Sequence, residues 1–162
     1  MSYDGEKVFL YNPITETMMK KIFFAIACVF ALTTSACDDN YQPVYQDQLP
    51  EKAQVFLATY FPEAEISLAR KEIDVTELTY DVIFTDGSKV EFDRKGNWTE
   101  VDCLNHPIPD GIVPDGIKKV INVQYPEAMV IKIERDHSEI DVKLNNRVEL
   151  TFNKHMQLID ID

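Results

Sequence analysis

The chain has 162 residues and a formal net charge of −12, from 28 acidic against 16 basic residues. No basic run exceeds pairs such as Lys118-Lys119, so the clustered Lys and Arg that neutralise phosphates are missing and nucleic acid is excluded as a partner. With three cysteines, one of them inside an apolar run near the start, a disulfide framework is excluded too.

That run extends over residues 22–32, directly after Lys20-Lys21, and is followed by Thr33-Thr34-Ser35-Ala36. It is about half the roughly 20 apolar residues that a membrane span requires, so the pattern predicts a secretory signal peptide removed on export. Met18 or Met19 is the natural start, which makes residues 1–17 an upstream extension. Thr34-Ser35-Ala36-Cys37 resembles the lipobox of bacterial lipoproteins, and the resemblance implies a lipid on Cys37 that attaches the chain to a membrane. The alternative is ordinary cleavage after Ala36, with Cys37 a stray thiol. Residues 37–48 then read as a tether that opens with Asp38-Asp39-Asn40. The expected address is the periplasm or the outer membrane, and loss of residues 1–36 leaves the net charge unchanged.

In residues 49–103, Pro50 opens a helix on which Ala53, Phe56, Leu57, Tyr60 and Phe61 form one apolar stripe, and Pro62 ends it. Four short strands follow, marked by Ile66 and Leu68, by Leu78, Tyr80, Val82 and Phe84, by Val90 and Phe92, and by Trp98 with Val101. Asp86-Gly87 supplies a tight hairpin turn, Asp93-Arg94-Lys95-Gly96-Asn97 reads as a longer turn with glycine in the left-handed position, and the broken alternation from Trp98 to Val101 predicts a bulge or an early strand end.

Residues 104–112, with prolines and Gly111, read as a linker. In residues 113–162, Pro114 opens a helix with the stripe Ile117, Val120, Ile121 and Tyr125, and Pro126 ends it. Strands marked by Val130, Ile131 and Ile133, by Ile140, Val142 and Leu144, by Val148, Leu150 and Phe152, and by Met156, Leu158 and Ile161 complete the chain. Phe61-Pro62-Glu63-Ala64 returns as Tyr125-Pro126-Glu127-Ala128, so the sequence reads as one unit present twice. The expected fold is α+β: two tandem copies of a helix plus a four-stranded antiparallel sheet. Arg147 and Met156 stand where the first half has Gly87 and Gly96, which predicts different turn geometries in the second half.

One face of each sheet should pack on its helix. The other carries Thr79, Asp81, Ile83, Lys89 and Glu91, with Asp141, Lys143 and Glu149 opposite, and is the candidate interaction face. The order helix, Pro-Glu-Ala corner and four strands, with the turn Phe92-Asp93-Arg94-Lys95-Gly96-Asn97-Trp98, resembles the tandem PepSY-like family of envelope proteins over nearly the whole chain after residue 36. Members resemble the beta-lactamase inhibitor protein in fold, which implies a broad sheet surface that grips a protein or peptide, with inhibition of a peptidase or another enzyme as the consequence.

No catalytic constellation is present. His106, His137 and His155 lack the spacing of a transition-metal site, and there is no phosphate-binding glycine loop or nucleophile elbow. Cys103 with His106 nearby reads as a half-buried structural thiol. The expected role is therefore a lipid-anchored envelope binding module, without cofactor and without enzymatic activity. The alternative is a calcium or small-ligand sensor in which Asp81, Asp86 and Asp93 converge.

Overall fold

The computed structural model describes residues 41–74 and 77–162. The expected signal peptide, its apolar core 22–32, and Cys37 lie outside the described residues. The elements run β1 (Tyr41–Pro43), a 3-10 turn (Gln46–Gln48), α1 (Glu51–Tyr60), β2 (Ile66–Ile73), β3 (Leu78–Phe84), β4 (Lys89–Asp93) and β5 (Trp98–Asp102). Then come α2 (Asp115–Gln124), β6 (Val130–Arg135), β7 (Glu139–Leu144), β8 (Glu149–Asn153) and β9 (Leu158–Ile161). Tyr41–Pro43, inside the stretch expected as tether, is thus the first strand among the described residues, and it pairs with β2.

Both helices begin where proline predisposes the backbone: Pro50 and Pro114 hold φ of −53° and −58° at the N-caps. Each ends with a backbone bond back into the last turn, Phe61 to the Leu57 carbonyl and Tyr125 to the Ile121 carbonyl. The apolar stripes face inward. Ala53, Leu57, Ile117 and Ile121 are buried, and Phe56, Tyr60, Val120 and Tyr125 pack against the same cluster. Phe56 lies 5.6 Å edge-on to Phe92 and 4.8 Å from Tyr60, while Phe61 stacks on Phe84 at 5.0 Å. These contacts fix α1 on the sheet face that presents Val82, Phe84, Val90 and Phe92.

The expectation of two tandem copies, each a helix with its own four-stranded sheet, is overturned. All nine strands belong to one antiparallel sheet in sequence order β1 to β9, with two helices on it among the described residues. The physical reason lies at β5 and β6, which pair through Glu100↔Glu134, Val101↔Ile133 and Asp102↔Lys132. Val101 and Ile133 are both fully buried there. Two separate sheets would leave both edges open and that apolar pair in water, at a cost of roughly 1.5–3 kcal/mol per side chain before any backbone bond is counted. The segment between β5 and α2 adds Ile108, Ile112 and Val113 to the same core, so it packs as part of the body.

Register shifts interrupt simple alternation on four ladders, and two of them bear on the sequence reading. The β4–β5 ladder shifts between Glu91 and Phe92, the bulge expected near Trp98. A second shift between Ile66 and Leu68 turns Leu68 outward, 40% exposed, and gives the inward position to Ala69. Leu68 therefore does not share the core face with Ile66, contrary to the alternation read from the sequence.

The turns of the second half also differ from expectation. Arg147 and Met156 adopt φ of 74° and 61°, close to the 88° and 78° of Gly87 and Gly96, so the geometry is kept without the glycines. At Gly96 a side chain could not fit, because an added Cβ would lie 2.8 Å from Pro50 and 2.9 Å from the Ala53 backbone. In the second half the small residue is on the helix instead: an added Cβ at Gly116 would lie 2.7 Å from Met156 Sδ. The glycine and the bulky group have exchanged sides of one contact. Arg147 is exposed and has no such contact to keep, so Arg147→Gly should remove left-handed strain and stabilise by about 1 kcal/mol, read as a higher Tm in thermal unfolding.

Candidate functional site

The face opposite the helices is built by alternation. Tyr80, Val82 and Phe84 point into the core, which turns Thr79, Asp81 and Ile83 outward on β3, and the register carries this parity across the sheet. The eight candidate residues, Thr79, Asp81, Ile83, Lys89, Glu91, Asp141, Lys143 and Glu149, therefore share that one face. The single sheet joins seven of them into two cross-strand rows, while Thr79 faces Glu72 and Asp93 beside these. One row runs Ile83, Lys89, Asp102, Lys132, Lys143 and Glu149; its neighbour runs Arg70, Asp81, Glu91, Glu100, Glu134, Asp141, Thr151 and Asp160.

The second row sets five carboxylates, from Asp81 to Asp141, on five adjacent strands. Facing residues of an antiparallel pair are roughly 4.5–5.5 Å apart, and like charges placed so are destabilising. Cations from the first row and one arginine offset this. Lys89 reaches Glu100 at 2.8 Å and Glu91 at 3.6 Å, and Lys132 reaches Glu100 and Glu134, both at 3.1 Å. Arg70 donates from Nε to Asp81 Oδ2 at 2.9 Å while its guanidinium covers the Tyr41 ring at 3.9 Å. Thr99 donates to Glu91, and Thr151 donates to Asp141 at 2.6 Å.

This pairing is uneven across the face. Asp81 is only 5% exposed and locked under Arg70, so it is a structural ion pair and offers no surface to a partner. Glu134, Asp141 and Glu149 are exposed, so the β6–β8 end is open while the β2–β5 end is internally matched. Arg70, Glu100, Asp102, Lys132, Glu134 and Thr151 were absent from the sequence-derived face. Their outward parity was readable, since Lys132 and Glu134 flank Ile133 and Glu100 sits beside Val101, but the β5–β6 pairing that sets them together was not.

The electrostatics follow from burial and partners. Burial alone would raise Glu100, but hydrogen bonds and charge from Lys89 and Lys132 outweigh it and leave its pKa lowered. Glu91 goes the other way: burial raises it, and Lys89 offsets this only in part. Burial pushes the Cys103 thiol up to about 11, with Asp102 and Asp86 adding to the shift, so it is protonated at neutral pH and unsuited as a nucleophile. His106, His137 and His155 are all exposed.

The three aspartates proposed to converge on calcium do not meet. Asp86 and Asp93 flank β4 at its opposite ends, and both are engaged in their own turns. Asp86 accepts from the Ser88 N–H, and Asp93 accepts from the Lys95 and Asn97 N–H groups and the Asn97 amide. Among the described residues no three His, Cys, Asp or Glu side chains are grouped to hold a metal ion. A groove of about 580 Å³ opens beside the end of α1, lined by Leu57, Phe61, Ile66 and Phe84 with Glu65 at its margin.

A single antiparallel sheet with helices on one face and a charged, open opposite face defines a surface-presenting protein. The family model described as "Putative beta-lactamase-inhibitor-like, PepSY-like" matches residues 78–160, and the chain belongs to this PepSY-like family. A DUF2874-family protein from Bacteroides vulgatus, described as periplasmic, is similar at 46% identity and TM-score 0.75, over 76% of this chain and 98% of that one. A protein from Bacteroides thetaiotaomicron, described as calcium-regulated and periplasmic, is similar at 46% identity and TM-score 0.75, over 77% and 98%. Another from Bacteroides vulgatus, described as periplasmic and of unknown function, has 27% identity and TM-score 0.72, over 75% and 98%. No curated protein matches. The shared description supports a periplasmic address.

The two glutamates give opposite pH signatures. Glu100, lowered in the fold, contributes stability that is complete above the ordinary glutamate pKa and is lost as pH falls through its folded value. Glu91, raised in the fold, weakens the protein at neutral pH and ceases to do so once protonated. In Tm measured against pH, Glu100→Gln should lower stability near neutrality and flatten the acid loss. Glu91→Gln should raise Tm near neutrality, with the gain fading on acidification.

Proposed function

We propose that this chain is an exported binding module of the cell envelope, anchored through a lipid on Cys37, whose open sheet face meets a protein or peptide. The observation that carries this reading is the row of five carboxylates from Asp81 to Asp141. A row of like charges costs stability, and folding alone gives no reason to build it on five adjacent strands. Membership of a beta-lactamase-inhibitor-like family supports inhibition of a peptidase or another enzyme as the result of binding. A basic or mixed-charge partner surface suits the β6–β8 end, where Glu134, Asp141 and Glu149 are exposed.

A second reading is favoured by one comparison, the similar protein described as calcium-regulated. Under this reading the chain senses calcium or a small ligand, and the aspartates held in their own turns, Asp86 and Asp93, have no part in it.

Residues 38–162, immobilised and exposed to an envelope extract, test the first reading. One dominant, salt-resistant partner is expected, and Glu134→Lys with Asp141→Lys should abolish its capture while leaving Tm nearly unchanged. Asp81 is unsuitable as a test site, because reversing a buried, paired aspartate costs roughly 3–5 kcal/mol of stability. Undiminished capture by the double variant would sink the face. An empty column, with a Tm raised by calcium and restored by chelator, would move the conclusion to the second reading. In cell fractionation the anchored chain should partition with membranes and Cys37→Ser should not.

A further inference from the structure

The sheet has two edges among the described residues, and they are not alike. At one edge β1 is three residues long and carries Pro43, which has no N–H to offer, with Tyr41 beneath the Arg70 guanidinium. At the other edge β9 pairs with β8 alone, and Ile159 and Ile161 are 52% and 49% exposed.

Strand β5 shows what such an edge can accept. It pairs with β4 through Glu91↔Glu100 and Phe92↔Trp98 across a bulge; β9 pairs with β8 through Thr151↔Asp160 and Phe152↔Leu158 across the same kind of bulge. The far side of β5 is filled by β6, and Val101 is fully buried; on the far side of β9 no strand pairs among the described residues, and its counterpart Ile161 is half in water. The backbone of β9 is ready for a neighbour. Asp162 and Glu149 exchange both of their bonds at 2.9 Å, so by antiparallel alternation the adjoining Ile161 turns its N–H and C=O away from β8.

Charge decides the occupant. Glu100 on β5 is neutralised by Lys89 from β4 and Lys132 from β6. On β8 the residue beside Asp162 is Glu149, already held by Lys143 at 2.6 Å, and among the described residues no cation pairs with Asp160 or Asp162. We propose that the β9 edge is a docking slot for an extended segment of another protein with a basic–apolar–basic alternation. It adds antiparallel to β9, sets Lys or Arg against Asp160 and Asp162, and covers Ile161 with its apolar residue. A second copy of β9 would bring Asp160 and Asp162 against themselves, which is the wrong sign. Asp160 ends the row that holds Glu134 and Asp141, but the slot is set by the outward backbone of β9 and does not depend on those two carboxylates being used.

The probe is a fluorescent peptide of residues 128–136 bearing Glu134→Lys, because β6 is the strand that fills the equivalent position on β5. The control carries Lys132→Glu and Arg135→Glu instead. Anisotropy titrations of residues 38–162 should show saturable binding of the lysine peptide and none of the acidic one. Ile161→Pro removes the outward N–H at an edge position that tolerates proline, so it should weaken binding by about tenfold or more with circular dichroism and Tm retained. Asp160→Lys with Asp162→Lys should lose the lysine peptide and gain the acidic one, and carries the test if Ile161→Pro does not fold. Glu134→Lys with Asp141→Lys should bind the peptide as the parent does, which separates this slot from the sheet face. No binding, equal binding of the acidic peptide, or undiminished binding by a folded Ile161→Pro would overturn the proposal. A dimer in sedimentation that Ile161→Pro abolishes would overturn it as well, since the occupant would then be a second copy.

Discussion

Glu100 sits between Lys89 and Lys132, and those two lysines come from strands on either side of it. Beside it, with the opposite parity, Val101 meets Ile133 in the fully buried core. This junction of β5 with β6 is the constraint on which the remainder of the molecule depends. The apolar pair drives the contact, and the lysines make tolerable the facing of Glu100 and Glu134 that the register imposes. A third element closes the same seam: Arg135 donates from Nε to the Trp98 carbonyl at 2.7 Å and lies over the Trp98 ring at 3.8 Å. Burial lowers the Arg135 pKa, but an arginine stays charged across the accessible pH range, so this clamp does not switch.

From the junction follow both the core and the exposed face. Because the strands run on without interruption, α1 and α2 pack on one face of one sheet and share a single apolar cluster with Ile108, Ile112 and Val113. Among the described residues no element covers the opposite face. Its charges arrange themselves as rows because the register aligns every second residue across all the strands, so a few side chains far apart in sequence form one electrostatic surface. The β2–β5 end and the β6–β8 end differ mainly in exposure: Asp81 is buried under Arg70, whereas Glu134, Asp141 and Glu149 stand in water, and Asp141 has only the Thr151 hydroxyl as its partner.

Much of the local structure was legible in the sequence. The helices open at Pro50 and Pro114, their stripes are buried, and the bulge near Trp98 is where alternation breaks. These are signals carried by neighbouring residues. What could not be read was non-local. The pairing of Val101 with Ile133 joins segments separated by a linker and a helix, and nothing in either strand names its partner. The turn geometry at Arg147 and Met156 was hidden for a related reason: the glycine that relieves the contact lies at Gly116, on the helix that packs against the turn. On the candidate face, parity was visible for all eight residues, whereas the burial of Asp81 depends on Arg70 from the neighbouring strand.

The central claim is that β5 and β6 fuse the described residues into one cooperative body. Scanning calorimetry of residues 38–162 tests it most directly. A single transition whose calorimetric and van't Hoff enthalpies agree, with a ratio of about one, is the predicted result. Two resolved transitions, or a van't Hoff enthalpy near half the calorimetric value, would mean that the halves melt independently and would contradict the account.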